Sequence, residues 1–260
     1  RANAAKAEMI ICVDDDYVIN QVEAAKAEMP SVNYFLLVNE KEREGWLSFN
    51  KQFKEFSDTL ERPTGEDAPK NTDIMQMYFT SGTTGMPKSV CHNYIHPLGH
   101  IVTAKYWQQV QENKLHLSVT DSGWAKFGWG KIYGQWICGA TIFAHDYIRF
   151  DAKKLLSVIE KYRITTFCAP PTMYRFMLQE DVASYDLSSV ANWCTAGEPL
   201  NAEVFNRWLA LTGGKIRTGF GQSEGSVLIA DFPWVEPIPG ALGKPSPIYD
   251  LQLWNSVGEP

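Results

Sequence analysis

No stretch of this 260-residue chain approaches the roughly 20 consecutive apolar residues that a membrane-spanning helix requires, and the opening residues Arg1 to Met9 lack the apolar core of a secretory signal. Cysteine is sparse and unpaired. Cys12, Cys91, Cys138, Cys168 and Cys194 are odd in number, widely spaced and never in a Cys-x-x-Cys pair, so neither a disulfide framework nor a zinc knuckle is expected; reduced thiols in a cytoplasmic setting are. Positive charge is not in excess either. Lys and Arg number 24 against 30 Asp and Glu, a net charge of −6, which argues against a nucleic-acid partner because phosphate backbones are bound by concentrated basic surfaces.

What remains is an ordinary globular composition, 45% apolar with 13% aromatic and 21% charged residues, in a length between one domain and two at about 150 residues each. The chain opens on Arg1 rather than methionine and stops on the turn-like Val257-Gly258-Glu259-Pro260, so a piece of a longer polypeptide is expected.

Strand and helix periods alternate along it. Residues 9–13 and 33–38 read as buried strands flanking a helix over 17–28. The hexapeptide Ala-Ala-Lys-Ala-Glu-Met occurs twice, at 4–9 and 24–29, which is too little for a repeat protein and reads as helix ends of similar composition. The run Asp14-Asp15-Asp16 is a solvated turn or helix cap. Ser48 followed by Phe49, Phe53, Phe56 and Leu60 predicts a capped amphipathic helix with an aromatic core stripe. Residues 61–73 are polar and turn-rich, the best internal loop between an α/β end over 1–60 and a second α/β region over 74–260. Further on, Asp151 and Asn201 are predicted to cap helices that precede strands at 164–169 and 215–220 respectively, with Gly213-Gly214 ending the second helix. This order predicts an α/β fold of largely parallel, helix-covered sheet with ligands near the carboxyl ends of the strands.

The richest chemistry lies in Tyr78-Phe79-Thr80-Ser81-Gly82-Thr83-Thr84-Gly85-Met86-Pro87-Lys88. A predicted strand runs into two glycines, four hydroxyls and a lysine, groups that can converge on phosphate oxygens. A Walker A loop is excluded, because Pro87 precedes Lys88 and Ser89-Val90-Cys91 looks like a strand rather than a helix start.

This spacing resembles the phosphate-loop signature of the adenylate-forming superfamily, which includes acyl-CoA synthetases, firefly-type luciferases and the adenylation domains of peptide synthetases. Two further segments follow in that family's order: Ala196-Gly197-Glu198-Pro199-Leu200 resembles its adenine-contacting turn, and Gly219-Phe220-Gly221-Gln222-Ser223-Glu224 resembles its Tyr-Gly-Gln-Thr-Glu motif. Between the loop and these, Ala169-Pro170-Pro171-Thr172 resembles a strand end. The resemblance implies the large N-terminal domain of that fold, incomplete at both ends, with the ribose-binding aspartate, hinge and small C-terminal domain expected beyond Pro260. It implies ATP, Mg²⁺ and coenzyme A as reactants or cofactors. Lys88 with Thr80, Ser81, Gly82, Thr83, Thr84 and Gly85 would hold phosphates; Gly197, Glu198, Pro199, Gly219, Phe220, Gly221, Gln222 and Ser223 would surround the nucleotide; Lys88, Ser223 and Glu224 would be catalytic, with Glu224 on the magnesium. Ser89 stands where the family usually has Gly, and Ser223 where it usually has Thr.

The segment Ser122-Gly123-Trp124-Ala125-Lys126-Phe127-Gly128-Trp129 lacks the aspartate with which amino-acid-activating relatives meet an ammonium group. Gly123-Trp124 and Gln222 look most like medium-chain acyl-CoA synthetases. Trp124, Phe127, Trp129 and Gly221 would then line the acyl site, with Gly221 leaving room where acetyl-specific relatives carry tryptophan. The resemblance thus implies an AMP-forming acyl-CoA ligase acting on a medium-chain or aryl acid, with a homo-oligomer compatible; an enzyme loading a carrier protein, or a nucleotide-binding piece without catalysis, are the competing readings. His92, His96 and His100 are four apart, but Pro97 is expected to interrupt a helix there and the Glu of His-Glu-x-x-His is missing, so zinc is disfavoured; Asn93 is expected to cap the following helix.

Overall fold

The computed structural model describes residues 1–39, 42–81, 87–147 and 149–259, arranged in two compact units, Arg1–Cys91 and His92–Pro260. In the first, strand β1 (Met9–Val13), helix α1 (Asp16–Ala25) and strand β2 (Tyr34–Val38) form a βαβ unit in which Met9 lies opposite Tyr34 in parallel register; the short strand β3 (Leu47–Ser48) adds in parallel to β2. The acidic run does what its position predicts. Asp15 sits in extended backbone and its carboxylate accepts the Val18 N–H, satisfying one of the donors that open every helix. Ile19, Phe35, Leu37 and Trp46 are buried beneath the helix.

The aromatic stripe after Ser48 departs from expectation. Helix α2 spans only Phe49–Gln52, a 3₁₀ turn follows at Phe53–Glu55, and Phe56 is extended. Ser48 donates its hydroxyl to the Asn39 carbonyl instead of capping, and Phe53, Phe56 and Leu60 are exposed. A short amphipathic segment is stabilised by what it packs on rather than by propensity, and these side chains bury little. Residues 61–73 hold one 3₁₀ turn, Gly65–Asp67. Strands β4 (Ile74–Thr80) and β5 (Lys88–Asn93) form a two-stranded sheet, so Ser89 to Cys91 is strand as expected.

The second unit is built on a seven-stranded sheet. Its strands are β6 (Leu115–Ser118), β7 (Thr141–Ile142), β8 (Thr166–Cys168), β9 (Asn192–Ala196), β10 (Ile216–Gly221), β11 (Val227–Ala230) and β12 (Lys244–Pro245), in the order β12-β11-β10-β9-β8-β6-β7. Every pair from β10 across to β7 is parallel, and β11 and β12 close the other side antiparallel. Side-chain alternation assigns the faces. Phe167 and Trp193 point to one core with Leu155, Leu156, Ile159, Tyr174 and Trp208; Cys168 and Cys194 point to another with Trp107 and Phe232.

Helix α3 (His96–Ile101) runs on as a π-helical stretch, Val102–Trp107, and carries Trp107 to the second face. Pro97 stands in the first turn of α3, where its missing N–H costs nothing, so it starts the helix rather than interrupting it; Asn93 accepts from the N–H groups of Ile95 and His96. Helix α4 (Ala125–Phe127), a second π-helical stretch (Gly128–Ile132) and α5 (Tyr133–Ile137) follow β6. A Cβ on Gly134 would stand 2.3 Å from the His100 carbonyl oxygen, so this glycine permits the close approach of α5 to α3. Helices α6 (Ala152–Lys161), α7 (Pro171–Met177) and α8 (Ala202–Thr212) cover the first face. Asp151 caps α6 through the Lys154 N–H and Asn201 caps α8 through the Glu203 N–H, while Gly213 ends α8 with φ +71°.

Candidate active site at the carboxyl edge of the sheet

Parallel order lines up the carboxyl ends of β6, β8, β9 and β10 along one edge, where open α/β sheets take their ligands. Register fixes which loops are neighbours: Ser118 lies opposite Cys168, Cys168 opposite Cys194, and Ala196 opposite Gly219. The segments that resemble a substrate stretch, a strand end, an adenine turn and a glutamate motif therefore leave the sheet side by side.

After β9 the backbone turns at Gly197, whose φ of +102° is costly for any residue with a Cβ. Glu198 is not simply presented to solvent. Its carboxylate accepts the Thr172 hydroxyl at 2.8 Å and an Arg175 N–H at 3.2 Å, and Arg175 donates to Thr172 as well. Thr172 and Arg175, one turn apart at the start of α7, thus brace the Gly197–Leu200 turn. Only Thr172 lay in a segment the sequence marked; Arg175 carried no signal beyond its spacing of three from Thr172.

At the end of β10 two glycines have packing roles. A Cβ on Gly219 would stand 2.5 Å from the Trp107 ring, and one on Gly221 would stand 2.7 Å from the Ser226 carbonyl oxygen, across the irregularity in the β10–β11 pairing. Gly219 is buried. Gly221 is thus required by the close strand return, and its identity does not by itself report acyl-site depth. Gln222 and Glu224 are exposed, Ser223 is half-buried, and the Gly225 N–H closes the turn onto the Gln222 carbonyl at 3.2 Å. Among the described residues nothing engages the Glu224 carboxylate.

The stretch after β6 is split. Asp121 holds the turn by accepting the Gly123 N–H at 2.7 Å; Trp124 is 71% exposed, and Phe127 is half-buried with its ring 5.4 Å from Lys131 Nζ. Lys131 itself is buried, which pushes its pKa down. Lys126 reaches across to the end of β9 and donates to the Ala196 carbonyl at 3.4 Å. Trp129 is a core residue instead, 3% exposed, with its indole stacked on His100 at 4.9 Å and edge-on to His92 and His96.

Those three histidines form a column. The rings of His92 and His96 stack at 3.8 Å, His96 Nε2 meets His100 Nε2 at 3.2 Å, and His100 Nδ1 meets the Thr103 hydroxyl at 3.0 Å. Burial, with the neighbouring imidazoles, lowers the pKa of His96 to about 4 and of His100 to about 3, so both are neutral at pH 7. Among the described residues no group of three or more His, Cys, Asp or Glu is placed to hold a metal ion. Of the phosphate-loop residues, Thr80 ends β4 half-buried, Ser81 is exposed, and Lys88 opens β5 with its side chain exposed. Gly82, Thr83, Thr84 and Gly85 lie outside the described residues.

A largely parallel sheet with a positive-φ glycine turn at its carboxyl edge, beside a glutamate unengaged among the described residues, defines an open α/β protein with its candidate site at the strand ends. The chain belongs to the AMP-binding enzyme family, whose sequence profile matches residues 1–260. It is similar to the acyl-coenzyme A synthetase ACSM3, mitochondrial, of Mus musculus, with 36% identity over 259 residues covering 99% of this chain and 44% of that protein. It is also similar to the human (Homo sapiens) acyl-coenzyme A synthetase ACSM5, mitochondrial, with 36% identity over 261 residues and the same two coverages. The crystal structure of the anthranilate CoA ligase AuaEII in complex with anthranoyl-AMP superposes with a TM-score of 0.88 at 26% identity, covering 99% of this chain and 49% of that one. ATP-bound MatB from Rhodopseudomonas palustris shares the fold, with a TM-score of 0.81 at 17% identity, covering 99% of this chain and 49% of that one. The chain thus spans less than half the length of the curated relatives, and its fold is the helix-covered, largely parallel sheet of the adenylate-forming large domain. No described helix is long and apolar enough to cross a membrane.

Proposed function

We propose that the protein containing this chain is an AMP-forming acyl-CoA ligase for a medium-chain or aryl carboxylic acid. A carboxylate oxygen attacks the α-phosphorus of ATP, the bond to the bridging oxygen breaks, and pyrophosphate leaves; the thiolate of coenzyme A, its proton lost to solvent, then attacks the acyl carbon and AMP departs. Both partners of the first step are anions, so the site must supply positive charge and hydrogen-bond donors where charge develops. The reading is carried by one observation. The register of Ala196 against Gly219 brings the Gly197–Leu200 turn and the Gly221–Glu224 turn together at one sheet edge, with the Glu224 carboxylate exposed and unengaged among the described residues.

Glu224 suits Mg²⁺, a hard cation that wants a carboxylate oxygen and takes its remaining ligands from phosphate and water. Bound there, Mg²⁺ would offset phosphate charge. Lys88 is assigned to the phosphates, Ser223 to the α-phosphate, and Gly197 to Pro199 to the adenine. The anthranoyl-AMP held by the similar ligase supports an aryl acid as readily as an alkyl one. The cytoplasmic setting read from the unpaired cysteines remains part of the proposal, although the mammalian relatives carry mitochondrial names.

Carboxylate-dependent exchange of labelled pyrophosphate into ATP tests the assignment in the full-length polypeptide. Lys88→Ala and Glu224→Ala are each expected to lower exchange by about 100-fold or more, the scale of losing one preorganised charge. Exchange that survives both substitutions at the parental rate would overturn it.

A further inference from the structure

The Ser223 carbonyl has one hydrogen-bond partner among the described residues, and it is an imidazole. His92 is 5% exposed, and its Nε2 stands 2.6 Å from that oxygen. A carbonyl only accepts, so Nε2 carries the proton and donates. The ring's orientation is set from behind by the His96 stack and by the edge of Trp129, and both lean on His100 and Thr103 in α3 and its π-helical continuation. Behind that ring, burial keeps His96 and His100 neutral at physiological pH.

The turn needs such a fix. Among the described residues its own closure is one bond of 3.2 Å, from the Gly225 N–H to the Gln222 carbonyl, and the Glu224 carboxylate has no partner to orient it. On the other side Ser226 is pinned by Tyr249, whose hydroxyl accepts the Ser226 N–H at 2.9 Å. Tyr249 therefore holds the outgoing end, and His92 holds the peptide immediately before Glu224.

We propose that His92 is a positioning residue for the glutamate-bearing turn: its buried Nε2–H holds the Ser223 carbonyl and thereby fixes the direction in which the Glu224 carboxylate leaves the sheet edge. The inference rests on the adenylation reading for its consequence, namely that a cation at Glu224 and the nucleotide it accompanies bind a pre-set carboxylate. His92 itself touches no reacting atom. Without it the carbonyl has no partner among the described residues, and the turn is free to rotate the carboxylate away.

The test compares His92→Leu, which removes the donor, with His92→Gln, whose side-chain amide reaches about as far as Nε2. Loss of one such bond is worth about tenfold, so His92→Leu should raise the Mg²⁺ concentration for half-maximal pyrophosphate exchange, and weaken calorimetric ATP·Mg²⁺ binding, by about that factor. ATP binding without Mg²⁺ should be unchanged in both variants, and His92→Gln should stay near the parent throughout. Parental magnesium dependence in His92→Leu, or equal impairment in His92→Gln, would overturn the proposal, since the second outcome is that of a ring needed only for packing. Should His92→Leu fail to fold, His92→Asn takes its place, because its shorter amide falls short of the carbonyl. A parent without carboxylate-dependent exchange would sink the adenylation reading alone, and the calorimetric contrast would still decide the role of His92.

Discussion

Individual residues at the candidate site divide into those whose identity follows from ligand chemistry and those fixed by close packing, and the two kinds share one motif. Gly219 and Gly221 stand two apart in Gly219-Phe220-Gly221-Gln222-Ser223-Glu224, yet one faces the Trp107 ring and the other the Ser226 backbone. A methyl group at either position has to displace its neighbour, a buried ring at Gly219 and buried backbone at Gly221. Gly219→Ala is therefore expected to lower unfolding stability by about 1–3 kcal/mol in urea titrations, with part of the loss recovered by combining it with Trp107→Leu. An additive double variant would show that the predicted clash is not the cause. The motif's order was legible in the sequence; the reason for each glycine was not, because the partners Trp107 and Ser226 are set by the β10–β11 irregularity and by a π-helical stretch that no local pattern announces. The same holds for the histidines. Their spacing of four was visible, whereas their stacking on Trp129 depends on Gly134 letting two helices meet.

Among elements, those whose stability is local were the ones that could be read. Asp15, Asp151 and Asn201 each cap the helix that their positions suggested, since a cap needs only the chain next to it. The stripe Phe49, Phe53, Phe56 and Leu60 obeyed a helical period equally well and still gave only Phe49–Gln52, because period states what could be buried and not whether anything is there to bury it. Helix α7 adds a contact that no period predicts, the clamp of Thr172 and Arg175 on Glu198. Both members of the Arg175–Glu198 ion pair are nearly half exposed, so its contribution to stability is small. Its contribution to the turn is larger. Arg175→Ala is expected to leave the melting temperature within about 2 °C of the parent, an effect of about 0.5 kcal/mol or less, while raising the KM for ATP several-fold because Gly197–Leu200 loses its brace. An unchanged KM would make Glu198 an ordinary surface acid.

For the whole His92–Pro260 unit, the buried histidines set a dependence on pH. His116 on β6 is fully buried between the sheet and the π-helical stretch Gly128–Ile132. The Gly130 carbonyl only accepts, so Nε2 carries the proton and donates at 3.3 Å, and Nδ1 accepts from the Thr166 hydroxyl at 2.9 Å. Burial is the main force lowering its pKa to about 4, with the charges of Lys131 and Lys126 adding to it; His100 is lowered to about 3. In the unfolded chain each titrates near 6.5. Between that value and about pH 4 the unfolded state takes up protons that the folded state refuses, so stability is complete above pH 6.5 and falls as pH is lowered, with the His116 share lost in full by about pH 4. A displacement of this size corresponds to about 3 kcal/mol for His116, large against the net stability of a domain. Melting temperatures measured from pH 7.5 to pH 4 should decline accordingly, and His116→Gln, which keeps a donor and an acceptor but cannot charge, should show a shallower decline despite a lower starting point. An equally steep decline in His116→Gln would remove His116 from the explanation and leave the carboxylates, His96 and His100 to account for acid sensitivity.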